Sequence, residues 1–220
     1  MFVKDFGCLS KKEVEKLYEH SMEILKCCSG YYIFPQPICY DNKSITYEFV
    51  TLPESITKII CKQTESSLAK EALFQSGKAL CLIHSKKNLL HGDYVGHNLF
   101  YSYEQGLSII DAHPPEVIGF DLTYLYGRKE VEVVFFLTSL PISYGIKRSL
   151  YEYRKITSFI SYAYQGYTEA NKISLSIRDY FRVFLRISNI NRKSKIGLIK
   201  GCIYGFFSTF IVMGALYNDI

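Results

Sequence analysis

The sequence predicts an α+β fold in two parts: a small part of strands and one helix over residues 1–50, and a larger, mainly helical part over residues 51–220. Two observations carry that prediction. Short runs at 2–6, 43–50, 99–101 and 107–110 have the alternation or apolar content of strands, whereas longer runs at 10–28, 70–84 and 148–166 repeat apolar residues at helical spacing. Size agrees, since 220 residues that are 48% hydrophobic suffice for one substantial core.

Residues 2–6, Phe-Val-Lys-Asp-Phe, open the chain as a strand. The first helix starts at Ser10, with Glu13 three residues on at capping-box spacing, and Val14, Leu17, Tyr18, Ser21, Met22 and Leu25 form its core-facing stripe. Residues 43–50 alternate polar and apolar and then meet Thr51-Leu52-Pro53-Glu54, a strand running into a breaker. Over 70–84, Leu73, Leu80 and Ile83 recur as on a buried helix, and His84 closes it. A loop, His91-Gly92-Asp93-Tyr94-Val95-Gly96-His97-Asn98, leads into a strand at 99–101, a turn at Glu104-Gln105-Gly106 and a second strand at 107–110 that ends in Asp111. Leu150, Tyr153, Ile156, Thr157, Ile160 and Tyr164 mark the helix over 148–166.

The chemistry sits between 91 and 111. Asp93, Asn98 and Asp111 set two carboxylates and an amide at a spacing that suits phosphoryl transfer, which needs a carboxylate beside the attacking hydroxyl and oxygen ligands for Mg²⁺ across the nucleotide phosphates. Asp93 suits the first task. Asn98 offers an amide oxygen to the metal from the same tight loop, and Asp111 supplies the second ligand from the end of a buried strand. His91 orients the loop backbone by hydrogen bonding rather than by moving a proton. The competing reading is a surface loop that contains His, Asp and Asn.

His-Gly-Asp, four residues, Asn, a hairpin and then Ile110-Asp111 resembles the aminoglycoside phosphotransferase and small-molecule kinase branch of the protein-kinase-like superfamily. The resemblance implies a two-lobed protein-kinase-like fold with a truncated N-terminal lobe and a mainly helical C-terminal lobe. It implies ATP and Mg²⁺, and transfer of the γ-phosphoryl group to a hydroxyl of a small molecule, a sugar or a lipid-linked glycan. It also assigns roles beyond the loop. Lys4 is the strand-borne lysine at the nucleotide, and Glu19 is its helix partner, with Glu15 and Glu23 as alternatives. The backbone from Glu48 to Val50 is the hinge that holds the adenine edge, and His84 is structural. Asp121 begins a helix and braces the catalytic loop through backbone donors, its alternative role being a helix N-cap.

The chain departs from the family in two places. Only three residues precede Lys4, where the family carries two strands and a glycine-rich loop over the phosphates. Three accounts compete: a start set too far downstream, a minimal small lobe, or a degenerate kinase that only binds. A sheet begun at Lys4 leaves an unpaired strand edge, which favours the truncated start or a covering partner. Asp111-Ala112-His113-Pro114-Pro115 stands where protein kinases carry Asp-Phe-Gly, which puts a Phe-flip switch in doubt. A compact atypical protein serine/threonine kinase and a non-catalytic kinase-like binding module therefore stay open beside the small-molecule phosphotransferase.

Near the C-terminus, Arg178, Arg182, Arg186, Arg192, Lys193, Lys195 and Lys200 precede 17 uncharged residues at 201–217. That run reads as a buried final helix, and Gly197, Gly201 and Gly205, repeating every four, permit close packing. The alternative is a membrane-facing tail with its basic flank on anionic headgroups, which implies a cytoplasmic protein associated with the inner face of a membrane. The net charge of +5 and pI near 8.7 fit either. Without interleaved stacking aromatics or a recognisable module, no nucleic-acid partner is expected. Seven cysteines with no CxxC pair read as reduced cytosolic thiols, and the opening residues lack the pattern of a signal segment.

Overall fold

In the computed structural model, residues 1–62, 66–86, 89–114, 128–189 and 195–217 are described, and they form two small antiparallel sheets and eight helices, an α+β fold. In the first sheet, β1 (Phe2–Asp5) and β2 (Pro37–Tyr40) flank β3 (Ser44–Tyr47). Lys4 lies opposite Ile45, so the two side chains share a face. That is the face against which α1 (Lys11–Cys28) packs, Ile45 joining Val14 and Leu17 in a small core with Phe6, Leu9 and Tyr47.

The start of α1 is fixed as its spacing predicts: the Ser10 N–H and hydroxyl donate to Glu13 Oε2 at 2.8 and 2.7 Å in a capping box. Its buried stripe is Val14, Leu17, Ser21, Ile24 and Cys28, turned slightly from the expected one, so that Met22 and Leu25 are only half-buried. Ile24 and Cys28 enter the larger core of the chain, so one helix ties the small core to the large one. β3 ends at Tyr47, short of the predicted end at Val50; one further bond, from the Glu48 N–H to Gln36 O at 2.8 Å, extends its pairing on the β2 side before the chain runs on toward Pro53.

The second sheet runs in the order β4 (Glu54–Ser55), β5 (Leu99–Ser102), β6 (Gly106–Ile109). Ile33 adds to β6 from the other side, donating to Leu107 O at 3.0 Å and accepting from the Ile109 N–H at 2.8 Å. The segment after α1 is thereby bonded to the strand that leads into Asp111.

The helices that follow are α2 (Ile56–Cys61), α3 (Ser66–Ser85), α4 (Lys129–Tyr144), α5 (Ile146–Tyr151), α6 (Tyr153–Thr168), α7 (Ile177–Asn189) and α8 (Lys195–Tyr217). The helix expected over 148–166 is two, α5 and α6, parted at Glu152, whose φ of −100° and ψ of 43° leave the helical region. Contact between α3 and α6 requires glycine on both sides: a Cβ at Gly77 would lie 2.0 Å from Ala163 O, and one at Gly166 would lie 2.0 Å from Phe74 O. That close crossing anchors α3 and the His84 near its end.

α8 packs on α7 and also touches α4 and α6. By length and composition it could cross a membrane. The expected buried final helix describes only one of its faces, since Ile211, Val212 and Ala215 are buried while Phe206 and Phe210 are exposed.

Candidate functional site

The loop that carries Asp93 is held from behind by a carboxylate inside the large core. Glu132 of α4 is 1% exposed; its Oε2 accepts from His84 Nε2 at 2.7 Å and from the His91 N–H at 3.0 Å, and its Oε1 accepts from the Gly92 N–H at 2.6 Å. Burial alone would push this carboxyl up. The hydrogen bond and charge of His84, with His91 and the Gly92 amide, outweigh it and hold Glu132 below the ordinary range. His84 completes the brace by bonding Tyr167 Oη through Nδ1 at 2.9 Å. Tyr94 pins the other end, its buried hydroxyl donating to Ser76 O at 2.8 Å.

Bracing the loop through backbone donors was the role expected of Asp121. Asp121 lies outside the described residues; among the described residues, Glu132 accepts from amides of the loop.

Within the loop, Asn98 Nδ2 donates to Asp93 Oδ2 at 2.9 Å and to Asp93 O at 3.0 Å. Burial raises the Asp93 pKa, against the lowering effect of the Asn98 bond. His91 is fully buried, and its Nδ1 accepts from the Asp93 N–H at 3.3 Å. Desolvation lowers its pKa to about 4, so the ring is neutral at pH 7 and its geometry fits the orienting role.

Asp111, expected at the end of the strand, lies two residues past β6 and joins from the other side. Backbone bonds from the Ile110 N–H to Asn98 O, 3.0 Å, and from the His113 N–H to His91 O, 2.7 Å, dock the end of β6 on the loop. Asp111 has a φ of 60°, and among the described residues it is the one non-glycine with positive φ. Such a conformation persists where the surroundings over-determine it, as they do at functional sites. Its Oδ1 lies 2.6 Å from Lys4 Nζ, across 107 residues of chain.

None of the three α1 acids considered for Lys4 meets it. Glu19 is exposed, Glu15 accepts from the Tyr40 hydroxyl at 2.8 Å, and Glu23 faces Lys86 at 3.5 Å. At 3.6 residues per turn, the Val14–Leu17–Ser21–Ile24–Cys28 stripe puts Glu19 on the opposite side of the helix. The neighbouring His20 is the α1 residue turned inward, within electrostatic reach of His91 and His113. The segment from Glu48 to Val50, expected as the hinge, runs between β3 and β4, and its Glu48 amide is already held by Gln36.

The described residues contain no cluster of three His, Cys, Asp or Glu suited to a metal. What the site offers is a pair of hard oxygen donors. With Nδ2 committed to Asp93, Asn98 has Oδ1 left for a cation, and Lys4 takes only one of the two Asp111 oxygens. That set fits Mg²⁺, which takes one or two protein oxygens beside phosphate and water, and it does not fit zinc.

The sequence did not single out Glu132, His20 or His113. For Glu132 a signal existed: one acid embedded in the apolar run 131–137 is either paired or in the wrong place. No protein-family model, curated protein or solved structure matches the chain.

Proposed function

We propose that the chain is an ATP-dependent phosphotransferase with an alcohol acceptor, built on a two-lobed protein-kinase-like fold. The observation that carries the reading is a continuous line of contacts from Lys4 to Asp111, across the Ile110–Asn98 backbone bond, to Asn98 and Asp93. In this reading the small core around β1, β3 and α1 is the N-terminal lobe and the large core is the C-terminal lobe. The hinge reads adenine through the Glu48 carbonyl and the Val50 amide, since the Glu48 amide is in use.

Asp93 orients the acceptor hydroxyl and takes its proton as the oxygen attacks the γ-phosphorus, and ADP leaves. Its burial makes the carboxylate a stronger base than one in water. Asn98, through Oδ1, and Asp111 are the residues that would hold Mg²⁺. When bound, that ion neutralises charge on the phosphate oxygens. Lys4 turns its ammonium to the same phosphates. The acceptor class is a small molecule, a sugar or a lipid-linked glycan, and the protein is cytoplasmic, with α8 toward the inner face of a membrane.

The test is ADP release over a panel of hydroxyl acceptors, with Asp93→Asn beside the unaltered chain. Acceptor-dependent release that Asp93→Asn abolishes at unchanged nucleotide affinity supports the reading. Equal release from both removes Asp93 from the mechanism. One observation favours a second reading, a non-catalytic nucleotide-binding module: Lys4 pairs with Asp111 itself rather than with an acid of α1. Nucleotide binding without turnover on any acceptor decides for it.

A further inference from the structure

More than half of the exposed large apolar side chains among the described residues lie on α7 and α8. On α8, Ile196, Ile199, Ile203, Phe206, Phe210 and Tyr217 fall at three-, four- and seven-residue steps, which is one helical face, and each is 44–68% exposed. On α7, Ile177, Phe181 and Leu185 repeat every four residues and are exposed as well. The two stripes face the same side: Ile177, Phe181, Phe206 and Phe210 line one groove of about 330 Å³ between the helices.

Charge is distributed to match. From 177 to 217 the sequence has seven basic residues and a single acid, Asp179, which is fully buried 3.3 Å from Arg128. Arg178 on α7, next to Ile177, and Lys200 on α8, next to Ile199, are both exposed, so cationic groups flank the apolar stripes of both helices.

We infer that this face of α7 and α8 lies flat in the interfacial layer of an anionic lipid bilayer, its aromatic and aliphatic stripe among the upper acyl chains and its exposed flanking cations, Arg178 and Lys200, on the headgroup phosphates. A helix with an apolar face, a basic flank and a polar remainder partitions in this way. A rim of one charge sign matches a phosphate surface better than it matches a protein partner, whose interface rim is polar and mixed. The helix does not span. The opposite face of α8 is committed to protein: Ile211, Val212 and Ala215 are buried, and Gly201 lies so close to α7 that a Cβ there would meet Ser188 O at 2.6 Å. Crossing a bilayer would require α8 to leave these contacts. The inference is independent of the phosphotransferase reading.

The chain has no tryptophan, so one introduced indole reports on its own position. Phe210→Trp and, outside the patch, Tyr103→Trp are titrated as full chains with vesicles of phosphatidylcholine, with and without phosphatidylglycerol. The expected result is a blue shift in Phe210→Trp alone, with anionic vesicles alone, quenched by lipids brominated high in the acyl chain. Arg178→Glu in the same background weakens binding about tenfold. Phe181→Gln with Phe206→Gln, both at exposed positions, abolishes cosedimentation while the melting curve stays cooperative.

Three results overturn the inference. One is unchanged emission with either vesicle. Another is salt-resistant binding to both vesicles with quenching at the bilayer centre, which means a spanning helix. The third is a lipid-independent blue shift that grows with protein concentration and accompanies a dimer mass, which means that a second copy covers this face.

Discussion

Lys4 Nζ and Asp111 Oδ1 lie 2.6 Å apart, so a residue of the N-terminal sheet edge closes on the acid two residues beyond β6. Their side chains are 30% and 38% exposed, and a pair this open contributes at most about 1 kcal/mol to folding. Lys4→Met should therefore leave the melting temperature nearly unchanged. It should weaken ATP binding about tenfold or more, since a charge-assisted contact to phosphate is lost. Glu19→Gln, on the far side of α1, should change neither. Calorimetric titration of both variants with ATP and Mg²⁺ checks the contrast, and equal loss in both would return Glu19 to the site.

Asp93 predicts a conflict between stability and activity. Burial raises its folded pKa above the unfolded value, so its contribution is favourable below the unfolded pKa and is lost as pH rises through the folded pKa. At neutral pH the ionised carboxylate costs stability that an amide would not. Asp93→Asn should melt higher than the unaltered chain at pH 7, with the gap closing as pH falls through the raised folded pKa of Asp93, while phosphotransfer disappears. Melting curves from pH 4 to 8 read the first effect, and ADP release reads the second. A lower melting temperature for Asp93→Asn at pH 7 would contradict the burial argument.

Glu132 has the opposite sign. Its folded pKa is depressed, so its stabilisation is present above the unfolded value and is lost as pH falls through the folded one. Glu132→Ala strands the amides of His91 and Gly92 and the His84 ring in the core, a loss of about 3–5 kcal/mol. Adding His84→Ala to it should cost less than the sum of the two single changes, because the two side chains are in contact. Denaturant melts of the three variants measure that coupling, and strict additivity would mean that the brace is not one unit.

Gly166→Ala tests the frame that carries His84. The added methyl meets the Phe74 carbonyl at 2.0 Å, and backbone cannot give way there as a side chain can. A loss of about 1–3 kcal/mol or more is expected, read as a fall in denaturant midpoint. An unchanged midpoint would show that α3 and α6 separate freely.

The helices and strands that the sequence disclosed were those whose signal is local. The Ser10–Glu13 box, the alternation before Pro53 and the turn before β6 depend only on near neighbours, and each marks an observed element. What stayed hidden depends on rotation or distance. Glu19 and His20 are adjacent, and only the packed orientation of α1 decides which one turns inward. Glu132 acts on residues about 40 positions upstream, and no spacing within its own helix reveals that. The break at Glu152 was obscured because helical recurrence continues across it.

The most direct test of the central claim is the thermal shift produced by ATP or ADP, with and without Mg²⁺, on the unaltered chain and on Asp111→Ala. The account predicts a Mg²⁺-dependent rise in melting temperature for the unaltered chain and its loss in a folded Asp111→Ala variant. A rise that is the same without Mg²⁺, or that survives Asp111→Ala, or no rise in a folded sample, would contradict the metal–nucleotide site on which the reading rests.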